Sequence, residues 1–576
     1  MDLLFHYLKP YKWLVLTCLL SVSGFALVEL GIPTIVGEMV NHQIGDGDVS
    51  FFYQMFFTLL TVSFLGVCGT VLLGYCNAKL AANISHDMRR DVFGKVMQFS
   101  AQDYQKFGVG SLITRTNQDV VQIQMFINSL MRTTVLTIFM FIMSIVMTMR
   151  ASITLSFVIL ATIPFVVIGV FVVSHISKKV SISQQNNLDK MNQLFREHLK
   201  GVKMIRSFQK EAYEHQRFEE VNQAYVKDSI TLFRMMSMST PLFYMVMNVA
   251  TVVIYMVSMH FISQGSLQLG QLMAFLDYLF HAMISMMLFC SIFMMYPRAN
   301  VSANRIKEVL HQEIHIQNPS NGKVLEDIEK VSFEHVSFAY EDGEVVLEDI
   351  NFTAYKGQKV AFLGATGCGK STLVKLLPRL YDVTSGHIYI NDIDVREYDI
   401  PSLRQKIGFA SQKAVLFSGS VADNVVFGEE NVSKADLEKA LKQAYAYDFV
   451  MDKEGQYEAE VYEGGTNFSG GQKQRLSIAR TLIKKAPLYI FDDTFSALDF
   501  QSDAKIQKEL RKVQDERLTF VVAQRIASVM DADNIIILDQ GKIVDQGSHS
   551  ELLKRCELYK EIALTQLSEE ELYASI

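Results

Sequence analysis

The sequence predicts a polytopic α-helical membrane domain, with six transmembrane helices and long cytoplasmic extensions, followed by an α/β P-loop domain. Three observations carry this prediction. Of the 576 residues, 49% are hydrophobic and 20% are charged, whereas soluble proteins have about 25% charged residues. Long stretches without charged residues recur before residue 300. After residue 330, strand-like and helical runs alternate, and one apolar strand leads into a glycine-rich phosphate-binding motif.

Length, charge and cysteine content exclude several other classes of protein. A chain of 576 residues is long enough for about two to four domains. The net charge of −7 argues against nucleic acid as a partner, because binding to a phosphate backbone needs a basic surface. The six cysteines include no C-x-x-C pair, so neither a disulfide framework nor a zinc site is predicted.

The six membrane helices follow from the uncharged stretches, since a spanning helix needs about 20 mainly apolar residues. The first stretch is not read as a signal peptide, because no small-residue cleavage site follows it and Glu29 and Pro33 continue the segment. The polar residues Ser263–Ser266 divide the last long stretch in two. The expected helix cores are 13–37, 52–76, 126–149, 151–174, 236–260 and 270–296.

The distribution of basic residues predicts the orientation in the membrane. Segments 79–119 and 178–234 together carry 17 Lys and Arg residues, whereas the short segments on the other side carry only Arg150. The positive-inside rule therefore places both large segments and both termini in the cytoplasm. Stretches such as Ala78–Phe99 and Ser181–Asp228 keep a helical pattern with no proline and little glycine, which indicates membrane helices that continue beyond the bilayer. The alternative is a pair of soluble loop domains.

A change in composition marks the boundary between the two parts. Residues 311–330 are polar and contain the sequence Asn-Pro-Ser-Asn-Gly, and alternating strand-like residues begin at Val331. The expected domains are a transmembrane domain at 1–310, a linker at 311–330 and a nucleotide-binding domain at 331–576.

The second domain contains a phosphate-binding loop. Residues 364–372 fit the pattern G-x-x-x-x-G-K-[ST], with the apolar run Val360–Leu363 before it and a helical run after it. The glycines let backbone N–H groups surround phosphates at a helix N-terminus. Lys370 is expected to contact the β- and γ-phosphates, and Ser371 offers its hydroxyl to Mg²⁺. The predicted nucleotide-binding residues of the loop are Gly364, Thr366, Gly367, Cys368, Gly369, Lys370, Ser371 and Thr372.

A second strand ends in a carboxylate suited to the same metal ion. Asp492 follows the apolar run 488–491, and Mg²⁺ prefers oxygen ligands of this kind, bound directly or through water. Ser371, Gln412 and Asp492 are therefore the expected protein ligands of Mg²⁺, with Gln412 assigned from the resemblance described next.

Between these motifs, Ser469-Gly470-Gly471-Gln472 opens a predicted helix and closely resembles the signature of the ATP-binding-cassette (ABC) transporter family. Tyr340 stands where the family stacks adenine, Gln412 follows a strand, and Glu463 precedes the signature. With six membrane helices before one cassette, the whole chain resembles half of an ABC exporter of the multidrug type. The resemblance implies ATP and Mg²⁺ as cofactors and an ATPase activity coupled to transport. It also implies that the signature acts in trans, on the nucleotide of a second cassette.

Two residues depart from the family pattern. Where the family usually places the Glu that acts as general base, this chain has Asp493, which is one methylene shorter. Where the family has a His that contacts the γ-phosphate, this chain has Gln524, which cannot exchange a proton. Because a positioned base contributes about 10²–10⁴-fold in rate, we expect a degenerate site that binds ATP and turns it over slowly. The resemblance is then to the degenerate subunit of bacterial heterodimeric exporters, whose partner keeps Glu and His.

Two cytoplasmic turns resemble the coupling helices of the family. They are Gly110–Asp119 and Gly201–Phe208, and the resemblance implies that they dock near the Gln412 segment. Plain helical hairpin tips are the alternative.

Candidate substrate residues lie in the membrane segments. Glu29 in the first helix and Asp277 in the sixth both fall in the outer half of the bilayer by helical rise. His281 follows Asp277 on the same helical face. Intramembrane carboxylates suggest a functional site, but an equally good interpretation is that Asp277 and His281 pair with each other or with the partner subunit. Met residues are also concentrated in helices five and six, where a lipid-facing or core role competes with substrate contact.

The resulting hypothesis is a subunit of an ATP-driven exporter in a bacterial cell membrane. The resemblance implies amphipathic, often cationic drugs or lipophilic compounds as substrates, and the expected partners are a second half-transporter, membrane lipids and these small molecules. The alternatives are a homodimeric exporter of lipid or peptide with slow turnover, an ATP-gated channel and a regulatory subunit. A channel is disfavoured because the membrane helices offer little basic lining beyond Arg132. A regulatory role leaves the coupling turns unexplained.

Overall fold

The computed structural model describes residues 2–45, 49–341, 343–512 and 516–567. The chain divides into two compact units, the first comprising Met1–Met97 and Gly110–Gln312 and the second comprising Gln98–Val109 and Glu313–Ile576. The first unit is helical and the second combines sheets with helices. The predicted fold class is therefore confirmed.

The first unit is built from long helices. Its helices are α1 (Asp2–Leu8), α2 (Lys12–Gly45), α3 (Val49–Val96), α5 (Val109–Thr114), α6 (Val120–Ser129), α7 (Val135–Ala151), α8 (Ile153–Ser207), α9 (Glu211–Ser263) and α10 (Leu269–Leu310). Two π-helical turns, Arg115–Asp119 and Leu130–Thr134, join α5, α6 and α7 into one rod. Between α3 and α5 lies the short helix α4 (Ala101–Phe107), which belongs to the second unit.

Among the described residues, five helical stretches are long and apolar enough to cross a membrane: Asp2–His42, Val49–Val96, Val109–Ala151, Glu211–Ser263 and Leu269–Phe289. The remaining predicted core, 151–174, lies at the start of α8, where a shorter apolar stretch covers Ile153–Gly169. Helices α3, α8 and α9 contain 48, 55 and 53 residues, which is about 70–80 Å and far more than a bilayer core of about 30 Å. The alternative of soluble loop domains was therefore wrong.

Small residues bring the membrane helices into close contact. Gly24 of α2 faces Gly69 of α3, and a Cβ added to Gly69 would lie 2.9 Å from the Gly24 Cα. Gly37 of α2 faces Gly270 of α10, whose N–H donates to the Asn41 side-chain oxygen at 2.7 Å. Interfaces of this kind let helix backbones approach closely inside a membrane. They hold α2 between α3 and α10.

The second unit contains three sheets. Its strands are β1 (Lys330–Ala339), β2 (Val345–Tyr355), β3 (Lys359–Leu363), β4 (Ser385–Ile390), β5 (Ile393–Asp394), β6 (Ile407–Ala410), β7 (Gly419–Ser420), β8 (Glu460–Val461), β9 (Leu488–Asp492), β10 (Leu518–Val522), β11 (Asn534–Asp539) and β12 (Lys542–Gly547). The strand orders are β2-β1-β4-β5, β12-β11-β3-β10-β9-β6 and β7-β8. In the six-stranded sheet, all neighbours are parallel except β11 and β12.

Helices cover the central sheet. Besides α4, they are α11 (Lys370–Leu376), α12 (Ile400–Gln405), α13 (Val421–Val425), α14 (Lys434–Gln443), α15 (Tyr447–Met451), α16 (Gly470–Ile483), α17 (Phe500–Arg511), α18 (His549–Arg555) and α19 (Glu557–Leu564). Every residue of β3, β9 and β10 is buried, as expected for parallel strands with covered faces. The functional residues follow these strands.

The first predicted coupling turn was misplaced. The segment that groups with the nucleotide-binding unit is Gln98–Val109, whereas Gly110–Asp119 belongs to the first unit. The reason is local: Ser100 caps α4 in a reciprocal capping box with Asp103, and Gly108, with φ of +74°, ends it. These signals form a separate short helix directly after the helical stretch predicted at 78–99.

Within the second unit, α4 is held by polar contacts. The His315 Nδ1 lies 2.7 Å from the buried Asp103 carboxylate, and the Gln105 amide donates to the Tyr381 hydroxyl at 3.1 Å. Burial opposes ionisation of Asp103, but hydrogen bonds from His315 and Ser100 outweigh it and lower the pKa of the Asp103 carboxyl. The α4 segment is thus anchored beside Tyr381, which follows the phosphate-binding loop and α11 in the chain.

Candidate nucleotide-binding site

Four parallel strands end at one edge of the central sheet. β3 leads into the loop at Gly364, β6 into Gln412, β9 into Asp493 and β10 into Gln524. In open α/β sheets, ligands bind outside the carboxyl ends of the strands. The topology therefore collects the predicted phosphate, metal and base positions on one edge.

The phosphate-binding loop has the backbone that its glycines permit. Gly364, Gly367 and Gly369 all have positive φ. A Cβ at Gly364 would lie 2.1 Å from the Leu538 carbonyl oxygen, so no larger residue fits there. The buried Lys370 ammonium donates to the carbonyl oxygens of Gly364 and Ala365, both at 2.7 Å. Lys370 is thus folded back over the concave loop, with its charge at the position expected for phosphates.

The residues around Asp492 suit a magnesium ion. The Ser371 hydroxyl donates to Asp492 Oδ1 at 2.5 Å, while the other carboxylate oxygen is buried without a hydrogen-bond partner among the described residues. Burial raises the pKa of the Asp492 carboxyl, and the Ser371 hydrogen bond opposes this. A hydroxyl and a carboxylate with a spare lone pair are ligands that Mg²⁺ accepts when phosphates supply the rest. Lys375, whose Nζ lies 3.9 Å from Asp492, was missed because a helix-interior lysine carries no motif signal.

Tyr340 lies at the other end of the loop. Its hydroxyl is 3.0 Å from the Thr372 hydroxyl, and its ring meets the Tyr381 ring edge to face at 5.3 Å between centroids. Its half-buried ring can stack on a base while the loop holds the phosphates. Tyr381 was not predicted, since it becomes part of this aromatic group only through folding.

The two departures from the family pattern, Asp493 and Gln524, are hydrogen-bonded to each other, and Gln412 contacts the same carboxylate. The amide nitrogens of Gln412 and Gln524 both donate to Asp493 Oδ2, at 3.0 and 2.7 Å. The other oxygen of this buried carboxylate has no hydrogen-bond partner among the described residues. Asp493 also adopts φ of +49°. Oδ1 is thus the oxygen left to accept a proton, on a side chain that is one methylene shorter than Glu.

The signature residues form a helix N-terminus. The Ser469 hydroxyl accepts from the Gln472 N–H at 3.3 Å, and the Gln472 side chain accepts from the Ser469 N–H at 3.0 Å. Gly470 and Gly471 complete the first turn of α16, and Ser469 and Gly470 are exposed. A capped, exposed N-terminus of a 14-residue helix offers backbone donors and a partial positive charge to an anion.

The membrane residues pair differently from the prediction. The His281 Nε2 lies 3.3 Å from the Glu29 carboxylate across the α2–α10 interface. Pairing of His281 with Asp277 had been the expected alternative to a substrate site, and Asp277 is instead exposed. Nearby, the hydroxyls of Thr34 on α2 and Tyr278 on α10 lie 2.5 Å apart.

Modification of Cys368 should report nucleotide binding. Cys368 is 6% exposed and its Sγ lies 3.6 Å from the Lys370 Nζ. We expect a small methanethiosulfonate to modify it slowly without nucleotide and more slowly with saturating MgATP, because phosphates fill the loop. Cys556, also 6% exposed but on the last turns of the unit, is the matched control and should not respond. Equal MgATP responses of the two thiols would contradict the loop assignment.

Comparisons with known proteins agree with this geometry. A family model described as ABC transporter transmembrane region matches residues 13–287, and one described as ABC transporter matches residues 347–496. An uncharacterized ABC transporter ATP-binding protein of Mycobacterium tuberculosis (strain CDC 1551 / Oshkosh) is 34% identical over 98% of both chains. A putative multidrug export ATP-binding/permease protein of Bacillus subtilis (strain 168) is 30% identical over 97% of this chain and 98% of its own.

A solved structure shares the fold. The structure of a bacterial Atm1-family ABC exporter with ATP bound superposes with a TM-score of 0.81 at 23% identity. The match covers 97% of this chain and 99% of that chain.

Proposed function

Because the chain belongs to the ABC transporter family and is an exporter subunit with an ATPase domain, we propose that it works as the degenerate half of a heterodimer. Its own site binds ATP and turns it over slowly. Its signature, Ser469–Gln472, completes the hydrolytic site on the partner's cassette. The partner is a second half-transporter that carries Glu and His at the positions of Asp493 and Gln524.

The observation that carries this proposal is the short side chain of Asp493 and the hydrogen bonds that its carboxylate accepts. A general base must reach the attacking water and accept its proton. Asp493 is shorter than Glu by one methylene and is engaged by the amides of Gln412 and Gln524, 3.0 and 2.7 Å away. Neither amide can take up a proton in its place. Binding groups such as Lys370 and Ser371 are intact, so recognition of ATP is kept while the catalytic step is weakened.

In this scheme each group has a physical role. Lys370 neutralises the phosphates, and Tyr340 stacks on the base. Mg²⁺, when bound by Ser371, Gln412 and Asp492, would supply positive charge for the developing negative charge on the phosphates. Ser469 and the N–H groups of Gly470 and Gly471 contact the γ-phosphate held by the partner cassette. ATP closure of the two cassettes turns the membrane helices outward, and hydrolysis at the partner's site resets them.

The proposed substrates are small amphipathic compounds, including cations. Glu29 is partly exposed beside His281, and Asp277 is exposed one helical turn before His281. A carboxylate in a low-dielectric membrane attracts a cation far more strongly than one in water. Glu29 and Asp277 are therefore the proposed cation-selecting residues, with His281 as the internal partner that a cationic substrate displaces.

Neutralising these carboxylates should reduce the transport of cationic substrates more than the transport of neutral ones. Glu29→Gln and Asp277→Asn are expected to reduce transport of a cationic dye while sparing a neutral dye of similar size. Basal ATP hydrolysis should persist, since the cassette is unchanged. Glu38→Gln is the matched control, because it removes an exposed charge from the same helix beyond the predicted core 13–37. If transport of both dyes falls equally, after normalisation to the amount of folded complex, the proposal that Glu29 and Asp277 select cations is wrong.

The heterodimer itself is tested by purification from the native membrane. The tagged chain should copurify with a different half-transporter whose sequence has Glu and His at the two altered positions. Recovery of the chain only with copies of itself, in an actively transporting form, would reject the proposal.

A further inference from the structure

A cavity in the first unit lies outside the nucleotide site and the Glu29 region. Its volume is about 440 Å³, and it lies between the π-helical turn with the start of α6 and the cytoplasmic part of α10. Its polar lining includes Gln118, Asp119, Arg298, Ser302 and Arg305. Wide π-helical turns of this kind often mark functional sites.

Asp119 is a buried carboxylate with an unfilled acceptor. It is 6% exposed; Oδ1 accepts from the Ser302 hydroxyl at 2.6 Å, and Oδ2 has no hydrogen-bond partner among the described residues. The nearest cation, the Arg305 Nη1, is 3.9 Å from Oδ1, which is beyond hydrogen-bond distance. Burying a charged group without its full set of donors is costly. A donor supplied by a ligand would remove this cost.

Two arginines line the same cavity with their charges available. Arg298 is exposed and makes no hydrogen bond or ion pair within the described part of the chain, and the Arg305 side chain has only the long contact to Asp119. Ser302 lies between them on the same helical face. Arg115, by contrast, donates hydrogen bonds to the Arg305 carbonyl oxygen and to the Glu308 carboxylate. Paired guanidinium groups suit a phosphate, which they can contact through several hydrogen bonds.

The cavity reaches from the depth of lipid headgroups into the predicted cytoplasmic extensions of the helices. Gln122 precedes the predicted core 126–149 by four residues, and Arg298 follows the core 270–296 by two. At about 1.5 Å per residue both lie within about 6 Å of the predicted cytoplasmic face of the hydrocarbon layer. The headgroup region occupies this depth, whereas Asp119 and Arg305, seven residues before and nine residues after those cores, lie about 10–14 Å from the hydrocarbon layer.

We propose that this cavity binds a zwitterionic amine–phosphate group. The phosphate contacts Arg298 and Arg305, and the ammonium supplies the donor that the Asp119 carboxylate lacks. Phosphoethanolamine has this chemistry, either as the headgroup of a membrane lipid or as a soluble ester. The site is independent of the heterodimer and of the exported substrate.

Photo-crosslinking tests the proposal on the purified full chain after lipid removal. The probes are phosphatidylethanolamine and phosphatidylglycerol, each with the same photoreactive group on the glycerol backbone beside the phosphate, and labelled peptides are located by mass spectrometry. The double variant Arg298→Gln/Arg305→Gln should lose labelling by both probes about tenfold or more, since both have the phosphate. Asp119→Asn, which keeps the acceptor for Ser302, should lose labelling by phosphatidylethanolamine only. Arg234→Gln is the matched control, because this exposed arginine lies two residues before the predicted core 236–260.

Competition on the unmodified chain gives a result that does not depend on variant folding. Excess phosphatidylethanolamine without the photoreactive group should remove the label from the peptides 114–122 and 297–305. Competition by soluble glycerophosphoethanolamine at similar concentration would identify the soluble ester as a ligand, and competition by the lipid alone would identify the headgroup. Both results support the site. Labelling outside these peptides, or variants that behave like Arg234→Gln, would overturn it.

Discussion

Replacing Ser469 with Ala or Gly471 with Glu should reduce ATP hydrolysis by the assembled transporter by about 10²-fold or more, as expected when a donor to a transition-state anion is lost. Replacing Asp493 with Asn in the same complex should reduce it only modestly. The difference arises because the signature of this chain serves the competent site of the partner, whereas Asp493 belongs to the slow site. Steady-state turnover at saturating MgATP measures both effects.

Local structure accounts for the choice of Gly471→Glu. A Cβ at Gly471 would have its nearest neighbour, the Ala497 carbonyl oxygen, at 3.6 Å, which is ordinary contact. The substitution therefore leaves α16 in place and adds a negative charge where an anion should bind. A folding defect is not expected to contribute.

Loss of the helix cap requires its own control. Ser469→Ala removes an N-cap, which costs about 1 kcal/mol of stability. Ser548→Ala removes the same kind of capping box from α18, away from the nucleotide site, and should leave turnover unchanged. If Asp493→Asn inactivates the complex as strongly as Ser469→Ala, the proposed asymmetry of the two sites is wrong.

Restoring the family residues should activate the slow site. In a complex whose competent site has been disabled, Asp493→Glu combined with Gln524→His is expected to raise turnover by about 10²-fold or more, the usual contribution of a positioned base. Glu supplies the missing methylene. His replaces one of the two amides that now engage the carboxylate and can exchange a proton.

The source of the regained activity can be identified with one further substitution. Adding Lys370→Ala to the restored chain removes the ammonium that this loop directs at the phosphates, so the gain should vanish. A restored chain that stays inactive although it binds ATP would show that residues other than Asp493 and Gln524 limit turnover.

The features predicted correctly are those encoded locally. The phosphate-binding loop occupies nine consecutive residues between a strand and a helix, and the long membrane helices follow from continuous apolar runs. Both signals lie within one stretch of chain. Whether such an element forms depends little on contacts with distant parts of the chain.

The features that were missed depend on distant contacts. Gln412, Asp493 and Gln524 were expected in one site, but the hydrogen bonds of both amides to Asp493 arise because β6, β9 and β10 are neighbours in the sheet, and strand order is not visible in a hydrophobic pattern. Likewise, His281 pairs with Glu29, 252 positions away, because Gly37 and Gly270 allow α2 and α10 to approach. The helical face alone had suggested Asp277.

The break that creates α4 was misjudged for a different reason. Its capping signals, Ser100 with Asp103 and the glycine at 108, are local and were present in the sequence. The turn was instead placed at Gly110–Asp119, from a resemblance to the coupling helices of the family. Capping residues therefore deserve more weight than such a resemblance when a cytoplasmic extension is divided into helices.

The turnover of the purified chain alone tests the central claim most directly. At saturating MgATP, with ATP binding verified independently, we expect turnover well below about 1 s⁻¹, the lower end of typical enzyme rates. Turnover at or above that rate, abolished by Lys370→Ala, would contradict the account, because the site containing Asp493 and Gln524 would then be catalytically competent.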